Sequence, residues 1–223
     1  GERYYLTSRD ERYGPFDLVI VANGARSAAR EWVGATRRAR RYRWGAFWTI
    51  APDPDRRFAD ELHQVVDGAH TMLGLLGTGV RSDDPMKQPL VSLFWSMRAD
   101  DGERTRRRGS RELADQIIRL HAGAESVLAS VNSIDQWSFA EYLDVVMSRW
   151  HSDGCVVLGD AGHATTPNMG QGAGMAIEDA AVLCELLSSG ESWTDAVPAF
   201  AARREPRVRF IVDQSRRIGR VGQ

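Results

Sequence analysis

The chain has 223 residues, of which 43% are hydrophobic and 26% charged, enough apolar content to bury one large domain or two smaller ones. Its 29 Lys and Arg against 30 Asp and Glu leave a net charge of -1, which gives no basis for a nucleic-acid or anionic-membrane partner. No apolar stretch approaches the roughly 18–20 residues of a membrane span, and no basic-then-apolar leader opens the chain. The two cysteines, Cys155 and Cys184, lie in apolar runs that predict buried, reduced thiols and a reducing, cytoplasmic setting.

The chain opens without an initiator Met on Gly1-Glu2-Arg3-Tyr4-Tyr5-Leu6, a strand-like segment. Residues 17–22, Asp-Leu-Val-Ile-Val-Ala, form a continuous apolar run, the pattern of a strand covered on both faces of a parallel sheet. The run ends at the turn pair Asn23-Gly24. A basic segment, 37–43, leads into an aromatic and β-branched strand at 44–50 that belongs to a different sheet and is stopped by Pro52 and Pro54. Residues 63–66, 71–76 and 90–97 read as strands of an antiparallel meander, separated by Gly, Pro and Asp clusters. Arg106-Arg107-Arg108 reads as a loop of solvated charge. Leu113, Ile117, Leu120, Ala124, Val127 and Val131 follow helical spacing, with Ser110 placed to cap a helix that covers the meander. Residues 155–158 read as a buried strand and 175–187 as a helix apolar nearly all round apart from Glu178, Asp179 and Glu185, hence sandwiched between neighbours. The tail 194–221 is arginine-rich and mostly helical, interrupted at Pro206, with its arginines on a solvated face.

The chemistry concentrates between that last strand and helix. Cys155-Val156-Val157-Leu158 runs into Gly159-Asp160, then Ala161-Gly162-His163-Ala164-Thr165-Thr166-Pro167-Asn168-Met169, then Gly170-Gln171-Gly172-Ala173-Gly174. Glycines at alternate positions before a helix leave backbone N–H groups uncovered, and the helix dipole adds roughly half a positive charge there. Such an end attracts anionic or electron-rich groups. Asp160, at the carboxyl end of a strand, is placed to accept hydrogen bonds from sugar or polyol hydroxyls. The alternative is that the glycines permit tight packing and Asp160 caps a turn. His151, Cys155, Asp160 and His163 lack the spacing of a metal site, and no Gly-x-Ser-x-Gly elbow occurs. His63, His70 and His121 read as surface or packing residues, and His163 as loop support.

Over more than twenty positions, Gly-Asp-Ala-Gly-His, two threonines, Pro, Gly-Gln-Gly and Ile-Glu-Asp-Ala resemble the second flavin motif of the FAD-dependent aromatic hydroxylases. These are the single-component, para-hydroxybenzoate-hydroxylase-like monooxygenases, and the likeness is nearest to their salicylate and urate branch. The resemblance implies that Asp160 binds ribityl or ribose hydroxyls of FAD, next to Gly159 and Pro167. It implies that Gly170, Gln171, Gly172, Ala173, Gly174 and the amide of Met175 cover the pyrimidine edge of the isoalloxazine. Residues 17–30, with Asn23-Gly24, Arg26-Ser27 and Arg30, resemble the family's Asp-Gly strand and turn. Asn23 keeps the turn but lacks the family's charge, and a simple structural turn is the other reading.

The fold class so implied is α/β (α+β): a partial FAD-binding Rossmann-like domain from 1–38 and 151–223, and a mostly antiparallel-sheet substrate domain at 39–150 with covering helices. The implied activity is that of a monooxygenase in which NADH or NADPH reduces FAD, oxygen forms a flavin hydroperoxide, and one oxygen reaches an aromatic or similarly electron-rich small molecule. Trp44, Phe47 and Trp48 are candidate substrate lining, although strand alternation lets one set at most face a cavity. No residue stands out as a general base. The family's opening Gly-x-Gly-x-x-Gly is not found here, so the chain is expected to be the carboxyl-terminal portion of a longer enzyme and to hold FAD weakly alone. Epoxidation or halogenation, and a cofactor-free binding module, are the rival readings; the sole lysine, Lys87, sits in a proline-flanked loop, which argues against a halogenase.

Overall fold

The computed structural model describes residues 3–6, 9–68, 71–190 and 192–221; His70, Gly1 and Glu2 lie outside them. The chain divides into two units, Gly1–Arg41 with Leu143–Gly222, and Tyr42–Tyr142. In chain order the strands and helices are β1 (Arg3–Leu6), β2 (Arg12–Phe16), β3 (Val19–Val21), β4 (Thr36–Pro52), β5 (His63–Asp67), β6 (Thr71–Val80) and β7 (Pro89–Arg98). There follow α1 (Gly102–Arg108), α2 (Ser110–Leu120), α3 (Glu125–Leu128), β8 (Ser138–Met147), β9 (His151–Ser152), β10 (Cys155–Val157), α4 (Asp160–His163), α5 (Gly172–Ser188) and α6 (Trp193–Val221).

The first unit is built on a three-stranded sheet, β3-β10-β9. β10 lies parallel to β3, with Cys155 opposite Val19 and Val157 opposite Val21, as a buried apolar run leads one to expect. Burial on both faces holds for β10 alone. β3 is the edge strand, and its Ile20 is 49% exposed. Among the described residues α5 is covered on one side: it buries Met175, Asp179 and Leu183, a single stripe four residues apart, while Ile177 is 70% exposed. Cys184 lies outside that stripe and is exposed, so only Cys155 is the buried thiol expected of both; neither forms a disulfide. α6 is a further correction, because it runs unbroken through Pro198 and Pro206. An interior proline costs a helix about 3 kcal/mol, and the buried row Val197, Phe200, Ala201, Val208, Ile211 and Val212 outweighs it.

The second unit centres on a five-stranded sheet, β5-β6-β7-β4-β8, whose β5-β6, β6-β7 and β7-β4 pairs are all antiparallel. The basic segment read as a lead-in is itself strand, since β4 begins at Thr36. One sheet face buries Phe47, Leu73, Leu75, Val91, Leu93 and Trp95 against Leu113 and Ile117 of α2. The covering helix is shorter than its apolar spacing predicts: the chain turns extended at His121 and resumes as a 3-10 turn and α3. Ser110 is not the cap. Gly109, with φ 91°, occupies that place, while the Ser110 hydroxyl donates to the Val131 carbonyl at 3.0 Å and accepts from Trp137 Nε1 at 3.2 Å. Arg106, Arg107 and Arg108 belong to helix α1 rather than a loop, and the Arg106 guanidinium sits 5.7 Å from the centre of the Phe47 ring, within cation–π range. Among the described residues no helix is long and apolar enough to cross a membrane.

Candidate FAD site

The carboxyl ends of β3 and β10 are tied together by Leu158 N–H donating to the Val21 carbonyl at 3.1 Å. This sets the Asn23-Gly24 turn beside Gly159-Asp160, the position where open α/β sheets hold ligands. Gly24 has φ 85°, and its carbonyl accepts from Ser27 N–H at 3.0 Å. Buried Arg30 clamps this turn, donating from Nε to the Ser27 carbonyl at 2.7 Å and from Nη2 to the Ala25 carbonyl. Burial lowers the Arg30 pKa, with Glu31 pulling the other way. Glycine suits position 159 because φ is 58°, and a Cβ there would also press on Ala176 Cβ at 3.3 Å. Asp160, the first residue of α4, turns to solvent and is bonded to no described side chain.

The connecting loop is pinned from below. Thr166 and Ser215 share a hydroxyl–hydroxyl bond of 2.8 Å, Ser215 Oγ also donates to the Thr166 carbonyl at 2.9 Å, and Asn168 Nδ2 reaches Thr166 Oγ1 and the Ser215 carbonyl. Pro167 opens a 3-10 turn that Gly170, at φ 64°, closes through its N–H to the Pro167 carbonyl at 2.9 Å. Helix α5 then begins at Gly172 with no side-chain cap from Gln171. The Met175 amide donates to the Gln171 carbonyl at 2.9 Å and its side chain is buried. The amides left without an intrahelical acceptor are those of Gly172, Ala173 and Gly174. A Cβ built on Gly170, Gly172 or Gly174 meets nothing within 4 Å. The glycines therefore form an open shelf at the positive end of a 17-residue helix, unplugged by any neighbour.

Beneath the shelf lies a network that the sequence reading missed. Asp179 is fully buried and accepts from Gly159 N–H at 2.9 Å, His163 Nε2 at 2.6 Å and Arg204 Nε at 2.8 Å. Arg204, itself buried, also reaches Glu178 Oε2 at 2.7 Å and the Met175 carbonyl at 3.3 Å. Arg207 forks onto both Glu178 oxygens at 2.6 Å. Burial alone pushes the Asp179 carboxyl up, but His163, Arg204 and the Gly159 amide together hold it below the usual carboxylate range. Glu178 is held down at about 2, chiefly by Arg207 and against the pull of its own desolvation. Not all tail arginines are a solvated face, since Arg204 is a buried counter-ion. The available signal was the Glu178-Asp179 pair itself, because two carboxylates on an otherwise apolar helix demand cations. His163 does support the loop, with its ring centre 5.3 Å from that of Trp150.

Of the proposed substrate-lining residues, Phe47 is fully buried in the core of the second unit and cannot line a cavity. Trp48 is 42% exposed on the opposite sheet face, and half-buried Trp44 shares its side by alternation. Lys87 sits at a loop tip, its Nζ donating to the Ser82 carbonyl at 3.2 Å. Among the described residues no group of three or more His, Cys, Asp or Glu could hold a metal ion.

Residues 13–215 match the family described as FAD binding domain. The chain is 28% identical over 220 residues to 2-heptyl-3-hydroxy-4(1H)-quinolone synthase of Pseudomonas aeruginosa, covering 98% of this chain and 55% of that enzyme. It is 30% identical over 207 residues to the FAD-dependent urate hydroxylase of Klebsiella pneumoniae, covering 90% of this chain and 51% of that enzyme. The chain thus spans about half the length of these relatives. In fold it is similar to Klebsiella pneumoniae HpxO complexed with FAD and uric acid, with a TM-score of 0.75 at 23% identity over 96% of this chain and 54% of that one. It is equally similar to P. aeruginosa PqsL in complex with 2-aminobenzoylacetate, with a TM-score of 0.75 at 20% identity over 96% of this chain and 60% of that one. With the match running nearly from end to end, the chain belongs to the FAD binding domain family of flavin-dependent monooxygenases.

Proposed function

We propose that this chain is the carboxyl-terminal portion of an FAD- and NAD(P)H-dependent monooxygenase that hydroxylates an aromatic or heteroaromatic small molecule, working in the cytoplasm. The observation that carries this reading is the open glycine shelf at the start of α5, with an unengaged carboxylate, Asp160, one loop away. FAD, when bound, supplies the redox chemistry that takes electrons from the nicotinamide donor and activates oxygen. The protein's part is to bind and orient. Asp160 accepts hydrogen bonds from the cofactor's sugar-like hydroxyls, and Gly159 and the Asn23-Gly24 turn, at the adjoining strand ends, keep the approach open. Pro167 and Gly170 shape the loop, and Gln171 leads into the helix. The amides of Gly172, Ala173 and Gly174 face the electron-rich pyrimidine edge, where the helix dipole favours negative charge. Urate and alkylquinolone chemistry in the relatives' names supports a planar heteroaromatic substrate.

The test separates fold from binding. Nothing lies within 4 Å of a Cβ on Gly174, and replacing a helical Gly with Leu removes a propensity penalty of about 1 kcal/mol. In the full-length protein, Gly174→Leu should therefore leave the unfolding midpoint unchanged or raised while abolishing flavin uptake, and Asp160→Ala should lose most flavin. Retention of full flavin occupancy by both variants would refute the assignment.

A further inference from the structure

Apart from the glycine shelf, the first unit has a pocket of about 190 Å³ between the end of β8 and α6. Its walls are the buried residues Val145, Met147, Trp150, Val208 and Val212. The charged residues of its lining are mostly cations, Arg37, Arg209 and Arg216 against Asp213. These cations are not equivalent. Arg216 is engaged by Asp144 and Asp213, and Arg209 donates to Glu205 at 2.9 Å. Arg37, exposed near the start of β4, has no bonded partner among the described residues. A carboxylate entering the pocket therefore meets a guanidinium whose donor fork is unused.

At the buried end of the lining is His163, 4% exposed. Its Nε2 lies 2.6 Å from Asp179, and because a carboxylate accepts, that nitrogen carries a hydrogen. The other ring nitrogen, Nδ1, is buried with no partner among the described residues. Leaving such an atom unmet is costly, and in folded proteins most find a partner. A hydroxyl suits Nδ1 in either protonation state, since it donates to the neutral ring and accepts from the charged one. An unpaired cation at the mouth, apolar walls and an unmet nitrogen at depth define a ligand with a polar group at each end.

Building on the monooxygenase reading, we propose that this pocket binds a small aliphatic acid with a hydroxyl at the end remote from its carboxylate, and that its occupancy tightens flavin binding. The carboxylate forks onto Arg37, the chain lies against Trp150 and the valines, and the hydroxyl meets His163 Nδ1. The coupling runs through one residue. Asp179 bonds both His163 Nε2, at 2.6 Å, and Gly159 N–H, at 2.9 Å. An occupant that steadies the His163 ring thus steadies the backbone next to Asp160, leaving less to be ordered when flavin arrives.

The probe is 6-hydroxyhexanoate, titrated calorimetrically into the full-length protein beside 6-hydroxyhexanamide, which lacks the charge, and hexanoate, which lacks the hydroxyl. None is aromatic, which keeps the test clear of the proposed substrate. At about 10 mM salt the hydroxy acid should bind about fivefold more tightly than its amide, as an exposed ion pair allows, and the margin should shrink as salt is added. Hexanoate should bind about fivefold more weakly than the hydroxy acid, the worth of one net hydrogen bond. Arg37→Ala should erase the preference for acid over amide, and Arg37→Glu should reverse it. Saturating hydroxy acid should lower the flavin dissociation constant about fivefold, the lower end of typical couplings. The proposal is overturned by equal binding of acid and amide, by equal binding of hexanoate and the hydroxy acid, or by no binding of any probe. An acid preference unchanged in Arg37→Ala, or a flavin affinity indifferent to saturating probe, overturns it equally. Should the full-length protein take up no flavin at all, the monooxygenase reading and the coupling fall together. The acid and hydroxyl preferences are measured without flavin and decide the pocket's ligand independently.

Discussion

Asp179→Asn is the most informative single change in the first unit. The carboxylate is fully buried and serves three donors, Gly159 N–H, His163 Nε2 and Arg204 Nε, at 2.6–2.9 Å. Asparagine keeps the shape but offers one acceptor oxygen, and its amide NH2 must point at groups that are themselves donors. Removing one partner of a buried ion pair typically costs about 3–5 kcal/mol. Arg204 retains Glu178 at 2.7 Å and the Met175 carbonyl, so it is not wholly stranded, which places the expected loss near the lower end, about 3 kcal/mol. The comparison is Arg207→Ala, which removes a fork that is just as short but exposed to solvent; screening by water leaves such pairs little effect on stability. Urea unfolding followed by far-ultraviolet circular dichroism measures both. A loss below about 1 kcal/mol for Asp179→Asn, or one equal to that of Arg207→Ala, would show that the network under Gly159 does not hold the unit together.

Two further outcomes follow from the same structure. Glu178 sits at about 2 in place of its usual 4.5; because the folded value is depressed, its contribution is complete above about 4.5 and is lost as the pH falls to 2. The stability gap between the parent and Arg207→Ala should close across that window in acid titrations of unfolding, and a gap of constant size would contradict the assignment. Cys184 is exposed while Cys155 is buried, with desolvation raising its pKa. An aromatic disulfide reagent should accordingly label one thiol in the folded protein and two after denaturation; rapid labelling of both in the native state would refute the buried position of Cys155.

What the sequence made legible is what is local in it. The strand at β10, the glycine loop and the start of α5 occupy one uninterrupted stretch, and the meander strands alternate cleanly because one face is buried and the other is not. Less legible were features decided at a distance. Nothing near Arg204 announces that its partner is 25 residues earlier, so a buried counter-ion reads as one more surface arginine. Pro206 looked like a break because its local penalty is visible and the packing of Val208, Ile211 and Val212 that overrides it is not. The apolar circumference of α5 was read as two-sided burial, yet composition reports only what a face can bury, not which face meets a neighbour. Ser110 had the residue type of a cap, and its hydroxyl was drawn instead to Val131 and Trp137. Within the stretch from Gly170 to Met175 that the resemblance singled out, the amides of Gly170 and Met175 are bonded to the Pro167 and Gln171 carbonyls, a pairing set by the turn and the helix ladder that residue types alone do not show.

Helix α6 fastens several separate parts of the first unit: Arg204 to α5, Ser215 to the threonine loop, and Arg216 to Asp144 in β8. All three partners precede it in the chain, so during synthesis they emerge from the ribosome before any of their fasteners does. Until roughly residue 216 has cleared the exit tunnel, the glycine shelf has no fixed footing. One long helix thus locks into place three parts that were laid down earlier in the chain.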